Sequence, residues 1–214
     1  MCINFTPTRN TPWVKEHLGV DLPAGNYPDE AYPGYVAPLV LKSHQTGRVA
    51  CGLAKFGLIP EWAKDDKISR HTYNARSETV AEKPSYRSAW RHRRYGIALV
   101  DHFFEPKYVA GKAKRWRIEL TCEQPFGIAS IWDTWTNPAT GELVTSFSML
   151  TVNADQHPVM NQYHKPGDEK RTPVILSPEQ FEAWLSADVP KAASMMHWNL
   201  MPALKSQEHI IHHD

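Results

Sequence analysis

Short stretches of alternating or continuous apolar residues recur along the chain and predict more strands than helices. At 3–10, Ile3 and Phe5 alternate with Asn4 and Thr6, which predicts a strand following Cys2. Strands are also predicted at 36–41 and 48–58, joined by a turn at Gln45-Thr46-Gly47. The run 95–104 is almost continuously apolar and predicts a strand buried on both faces, with Glu105-Pro106 ending its pairing. Further strands are expected at 116–120, 126–135, 147–152 and 174–176, with Asn137-Pro138 and Gly141 turning the chain between the second and third of these.

Helical signals are fewer. Thr11-Pro12 reads as an N-cap and first-turn proline, Val14 and Leu18 share a face, and Gly19 stands at the C-terminal cap. Residues 83–94 carry Tyr86, Ala89 and Trp90 at helical spacing, and 153–164 carry Val159 and Tyr163 four apart. Ser177-Pro178-Glu179-Gln180 is a capping box before Phe181, Trp184 and Leu185. The 21–38 stretch, rich in Pro, Gly and Tyr, predicts irregular surface chain, and 59–79 predicts a long loop of the kind that often carries function. The pattern as a whole predicts an α+β single domain over 1–214, mainly an antiparallel, barrel-like sheet flanked by short helices, with 205–214 as a flexible tail.

Composition changes this picture little. The chain has 214 residues, 42% of them hydrophobic, and a formal charge of +1, so a nucleic-acid contact requires local basic patches. No apolar run is long enough for a membrane span, and three widely spaced cysteines suggest neither a disulfide framework nor a CxxC pair. A cytoplasmic monomer without membrane, metal or cofactor is expected, and the His209, His212, His213, Asp214 tail is read as solvated rather than metal-binding.

Candidate chemistry begins at Met1-Cys2. Methionine is normally trimmed before a small residue, which leaves Cys2 with a free α-amine beside its thiol. That aminothiol can condense with an aldehyde and close a thiazolidine ring. Glu105 closes an apolar strand and suits a general acid/base, or is a strand-end carboxylate in solvent. Asn74 and Arg76 are ligand donors or loop-fixing residues, and His164 is a proton donor or a surface residue. Arg87, Arg91, Arg93 and Arg94, with Lys107, Lys112, Lys114, Arg115 and Arg117, make two basic patches. Trp62, Trp90 and Trp116 lie among them. Such patches hold single-stranded nucleic acid or are solvated faces over core tryptophans.

Together these residues resemble the SOS response-associated peptidase (SRAP) family over about 1–185. The resemblance is carried by Met1-Cys2, Ala37-Pro38, the Asn74-Ala75-Arg76-Ser77-Glu78-Thr79 segment, Phe104-Glu105, and His164 ahead of Arg171-Thr172-Pro173-Val174-Ile175-Leu176. Three departures stand out. Ile3-Asn4 replaces the family's Gly-Arg, Pro106 replaces a tryptophan, and Pro166-Gly167-Asp168-Glu169 is extra. The resemblance implies recognition of abasic sites in single-stranded DNA and a thiazolidine crosslink through Cys2, nucleoid-associated and of a bacterial type, with autoproteolytic and lyase side activities. It further implies catalytic roles for Cys2, Asn74, Glu105 and His164, and DNA contacts from Arg76, Trp62, Arg87 and Arg171. Two other readings remain open from the residues: an N-terminal-nucleophile cysteine hydrolase, and a non-covalent single-strand binder.

Overall fold

The computed structural model describes residues 3–43 and 45–210. Cys2, and His212, His213 and Asp214 of the tail, lie outside the described residues. The strands are β1 (Asn4–Pro7), β2 (Val36–Lys42), β3 (Val49–Phe56), β4 (Asn74–Arg76), β5 (Tyr95–Val109), β6 (Lys112–Leu120), β7 (Phe126–Thr136), β8 (Leu143–Asn153), β9 (Arg171–Pro173), β10 (Ile175–Leu176) and β11 (Leu204–Glu208). The helices are α1 (Thr11–Leu18), α2 (Arg87–Arg91), α3 (Phe181–Leu185) and α4 (Val189–Met195).

Five of these strands close a barrel in the order β7-β8-β3-β2-β5, with β5 returning to β7. Pairing is antiparallel except where β3 and β4 run parallel to β8. The α+β, barrel-like expectation therefore holds. The apolar run at the start of β5 reflects two buried faces. Ala98 and Val100 point into the barrel with Phe5, Phe56, Phe126 and Phe147. Ile97 and Leu99 point outward, beneath Trp13, Trp90 and Trp184 of the helices. Gly127 permits the closest of these approaches. A Cβ there would lie 2.5 Å from Ile97 Cγ2 and 2.6 Å from Phe181 Cε1.

A bulge in β5 sets which way the later residues of that strand point. Thr6 pairs with His102 and Pro7 with Val100, so Asp101 is the extra residue. Before the bulge the even-numbered Ala98 and Val100 face the interior; after it the odd-numbered Phe103 does. Glu105, two residues beyond Phe103, inherits that face.

Several boundaries differ from the sequence expectation. β5 does not stop at Pro106 but pairs with β6 as far as Val109. The Pro106 carbonyl accepts the His164 N–H, so its nitrogen also faces away from β6 and the missing donor interrupts no bond of that ladder. The 59–79 loop contains a 3-10 turn, Asp66–Arg70, and β4. The expected helix at 153–164 is reduced to a 3-10 turn, Met160–Gln162, because His157 Nδ1 accepts the Val159 and Met160 N–H groups and turns the chain there. The N-cap of α1 is Asn10, one residue earlier than expected, and the 83–94 helix covers only Arg87–Arg91. Residues 205–208 of the expected tail belong to a strand. β11 pairs with β6 from Leu204↔Leu120 to Glu208↔Trp116.

Candidate functional site

At the barrel end where β5 passes its bulge, a cleft of about 720 Å³ is lined by Ile3, Tyr32, Tyr73, Glu105, Arg115 and His164 among others. Its floor is an acid–base pair. The Glu105 side chain is fully buried, and its Oε2 lies 3.0 Å from His164 Nε2, on a ring only 11% exposed. Glu105 is therefore not a strand-end carboxylate in solvent, and His164 is not a surface residue. His164 adopts φ +65°, a backbone conformation that non-glycine residues rarely take, and its N–H is held by Pro106 O at 2.9 Å. That bond docks the loop after Met160–Gln162 on β5 beside the glutamate. No helical pattern carries His164 into place, so the sequence named both residues but not their contact.

The strand that leads from Cys2 forms one wall. Asn4 pairs with Phe104, next to Glu105, and its side-chain amide donates to Glu30. Glu30 Oε1 also accepts from Arg115 and, at 2.8 Å, from the Tyr32 hydroxyl. The Arg115 guanidinium lies 3.6 Å over the Phe104 ring. Along the other edge of β1, Phe5 and Ala31 exchange backbone hydrogen bonds, and the Tyr27 hydroxyl donates to Thr8 O at 3.0 Å. Residues 27–32 thus act as a strap that holds β1 against β5. Sequence reasoning passed over Glu30 because nothing in an aperiodic Pro/Gly/Tyr stretch marks one carboxylate above its neighbours.

Asn74 sits on β4 rather than in a loop, its backbone paired with Met149, and the preceding Tyr73 lines the cleft. The Tyr86 hydroxyl donates to Asn74 O at 3.0 Å, and burial pushes that phenol up to about 12. Trp62 is 58% exposed, and its indole N–H reaches Pro84 O, three residues before the exposed Arg87. These two DNA-contact candidates therefore lie on neighbouring segments. Arg76 is half exposed and pairs with Glu169 at 2.9 Å.

Arg171 corrects the sequence expectation. Its side chain is 2% exposed and all five N–H donors are engaged. Nε meets Thr151 Oγ1, Nη1 meets Glu78 and Glu169, and Nη2 meets Glu78 and Thr151 O. It ties β9 to β8 and to the segment after β4, and nothing remains for a phosphate. Among the described residues no three His, Cys, Asp or Glu side chains group to hold a metal ion.

A family model described as SOS response associated peptidase (SRAP) matches residues 1–212. The chain belongs to the SRAP family. The abasic site processing protein YoqW of Bacillus subtilis (strain 168) is 33% identical to it over 195 residues, covering 87% of this chain and 80% of that protein. The abasic site processing protein HMCES of Gallus gallus is 29% identical over 66% of this chain and 47% of that protein. A crystal structure of a Bordetella bronchiseptica protein superposes on this SRAP chain with a TM-score of 0.88 at 28% identity, covering 98% of this chain and all of that one. No helix among the described residues is long and apolar enough to cross a membrane.

Proposed function

We propose that this SRAP protein recognises abasic sites in single-stranded DNA and joins itself to them through Cys2. The observation that carries the reading is the buried Glu105–His164 pair at the floor of a cleft that Ile3 lines. Ile3, the residue that follows Cys2 in the sequence, is among the residues that line this cleft.

Hydrolysis of the Met1–Cys2 bond frees the α-amine. The amine adds to the ring-opened sugar aldehyde, and loss of water gives an imine. The Cys2 thiol then adds its sulfur to the imine carbon and its proton to the nitrogen, closing the thiazolidine. Each step moves a proton. Glu105 takes and returns it, while His164, whose Nε2 lies 3.0 Å from Glu105 Oε2, donates toward the opening sugar oxygen. The Asn74 amide orients the amine or sugar. Arg76, Trp62 and Arg87 hold the flanking strand through phosphate and stacking contacts. The imine stage also permits strand scission, which is the lyase activity, and removal of Met1 is the peptidase activity.

Met1-free protein, verified by intact mass, should give a heat-stable shifted band with an abasic oligonucleotide. Cys2→Ala should abolish the band, and Glu105→Gln should slow its formation by about 10²–10⁴-fold. The absence of any band from the trimmed wild type would sink the reading.

A further inference from the structure

An abasic nucleotide offers an aldehyde and phosphates but no ring system, so the strand must be gripped through its flanking nucleotides. Unpaired bases are gripped on aromatic faces, most effectively on rings already fixed in place. Among the described residues, the cleft wall carries an exposed ring of this kind. Tyr32 lines it, is 38% exposed, and is held at three points. Its hydroxyl donates to Glu30 at 2.8 Å, its ring meets Tyr35 edge-on with centroids 6.0 Å apart, and its carbonyl accepts the Tyr35 N–H at 2.9 Å. The residue before it, Ala31, is bonded on both sides to Phe5 of β1. The same Glu30 oxygen takes Asn4 and Arg115, so Tyr32 shares one anchor with the strand that leads from Cys2.

The other exposed rings fit the task less well. Tyr108 also lines the cleft and is exposed, but among the described residues its hydroxyl has no hydrogen bond to fix it. Trp62 is more exposed but does not line the cleft.

We propose that Tyr32, braced by Glu30 and Tyr35, is the stacking platform for a nucleobase flanking the abasic nucleotide. The assignment rests on the proposed capture of abasic DNA and adds a subsite to it. Its test uses single-stranded oligonucleotides with a reduced, aldehyde-free abasic sugar, so affinity is read without covalent capture. One oligonucleotide has ordinary bases on both sides of that sugar; the other has abasic sugars there as well.

Tyr32→Ala should weaken binding to the first by about tenfold and to the second by less than about twofold. Tyr32→Leu, which has bulk but no π face, should behave like Tyr32→Ala. Tyr32→Phe, which keeps the ring, should stay within about threefold of wild type on both. Equal losses on the two oligonucleotides, or no loss on either, overturn the platform. Wild-type crosslinking of an aldehyde-bearing site is scored separately, so failure of the stacking subsite and failure of the covalent reading are distinguishable.

Discussion

The Arg171 guanidinium sits beneath Glu78 and Glu169 with every donor used, and the carboxylates of both partners are held below their ordinary range even though burial acts against this. A lysine there has a compact charge that cannot span Glu78, Glu169 and Thr151 at once. Arg171→Lys should cost about 3 kcal/mol, which for a domain of this size lowers the melting temperature by roughly 6–12 °C. Because Arg171 is buried, the salt dependence of DNA binding should not change. Arg76→Ala should do the reverse, leaving melting nearly unmoved while reducing the slope of log K against log salt by about 0.7. The two arginines looked alike in the sequence because exposure is the default for arginine, and Glu78 lies 93 residues from its partner. Glu105 was legible for the opposite reason. It closes an apolar run, so its candidacy could be read locally, though not whether it faced the core or solvent. The φ +65° that turns His164 toward it could not.

At the scale of elements, the sequence showed where chain is buried better than where pairing stops. The doubly buried start of β5, the Asn137–Gly141 turn and the Ser177 capping box all leave local marks. The bulge at Asp101 leaves none, yet it decides which face Glu105 takes. β4 was hidden because three residues cannot establish a period, and β11 because Leu204 is its one buried apolar position. β11 covers the outer edge of β6, the strand that brings Arg115 to the cleft, and is stapled by Lys114–Glu208 and Lys205–Glu119 pairs. The exposed Lys114–Glu208 pair contributes little and the Lys205–Glu119 contact is long at 3.5 Å, so the ladder itself provides most of the hold. Removing residues 204–214 should speed amide exchange across 112–120 and lower the crosslinking rate, whereas removing 211–214 alone should do neither. Unchanged exchange after the longer truncation would show that β6 does not need its neighbour.

For the molecule as a whole, groups buried in their neutral forms set the pH range of stability. His102 is pushed down to about 4, first by burial and then by Arg117, His209 and Arg115, while His157 is lowered by burial alone. In the unfolded chain both take up a proton near pH ~6.5, whereas the folded protein resists, so stability is full above ~6.5 and falls as pH drops toward the folded values. Each proton of difference changes stability by about 1.4 kcal/mol per pH unit. Asp101 and Asp133, raised by burial, oppose the loss at the acid end, because they prefer the proton in the folded state. On the alkaline side Cys51, Tyr86 and Tyr95 are all pushed up to about 12 by burial. Their stability is present below the unfolded values and is lost as pH rises through ~8.5 for the thiol and ~10 for the phenols. The melting temperature should therefore peak between about pH 7 and 8. Cys51→Ala should flatten the decline between about pH 8.5 and 10 while leaving the acid limb untouched. A wild-type decline that begins only above about pH 10 would mean that the Cys51 thiol ionises as readily folded as unfolded.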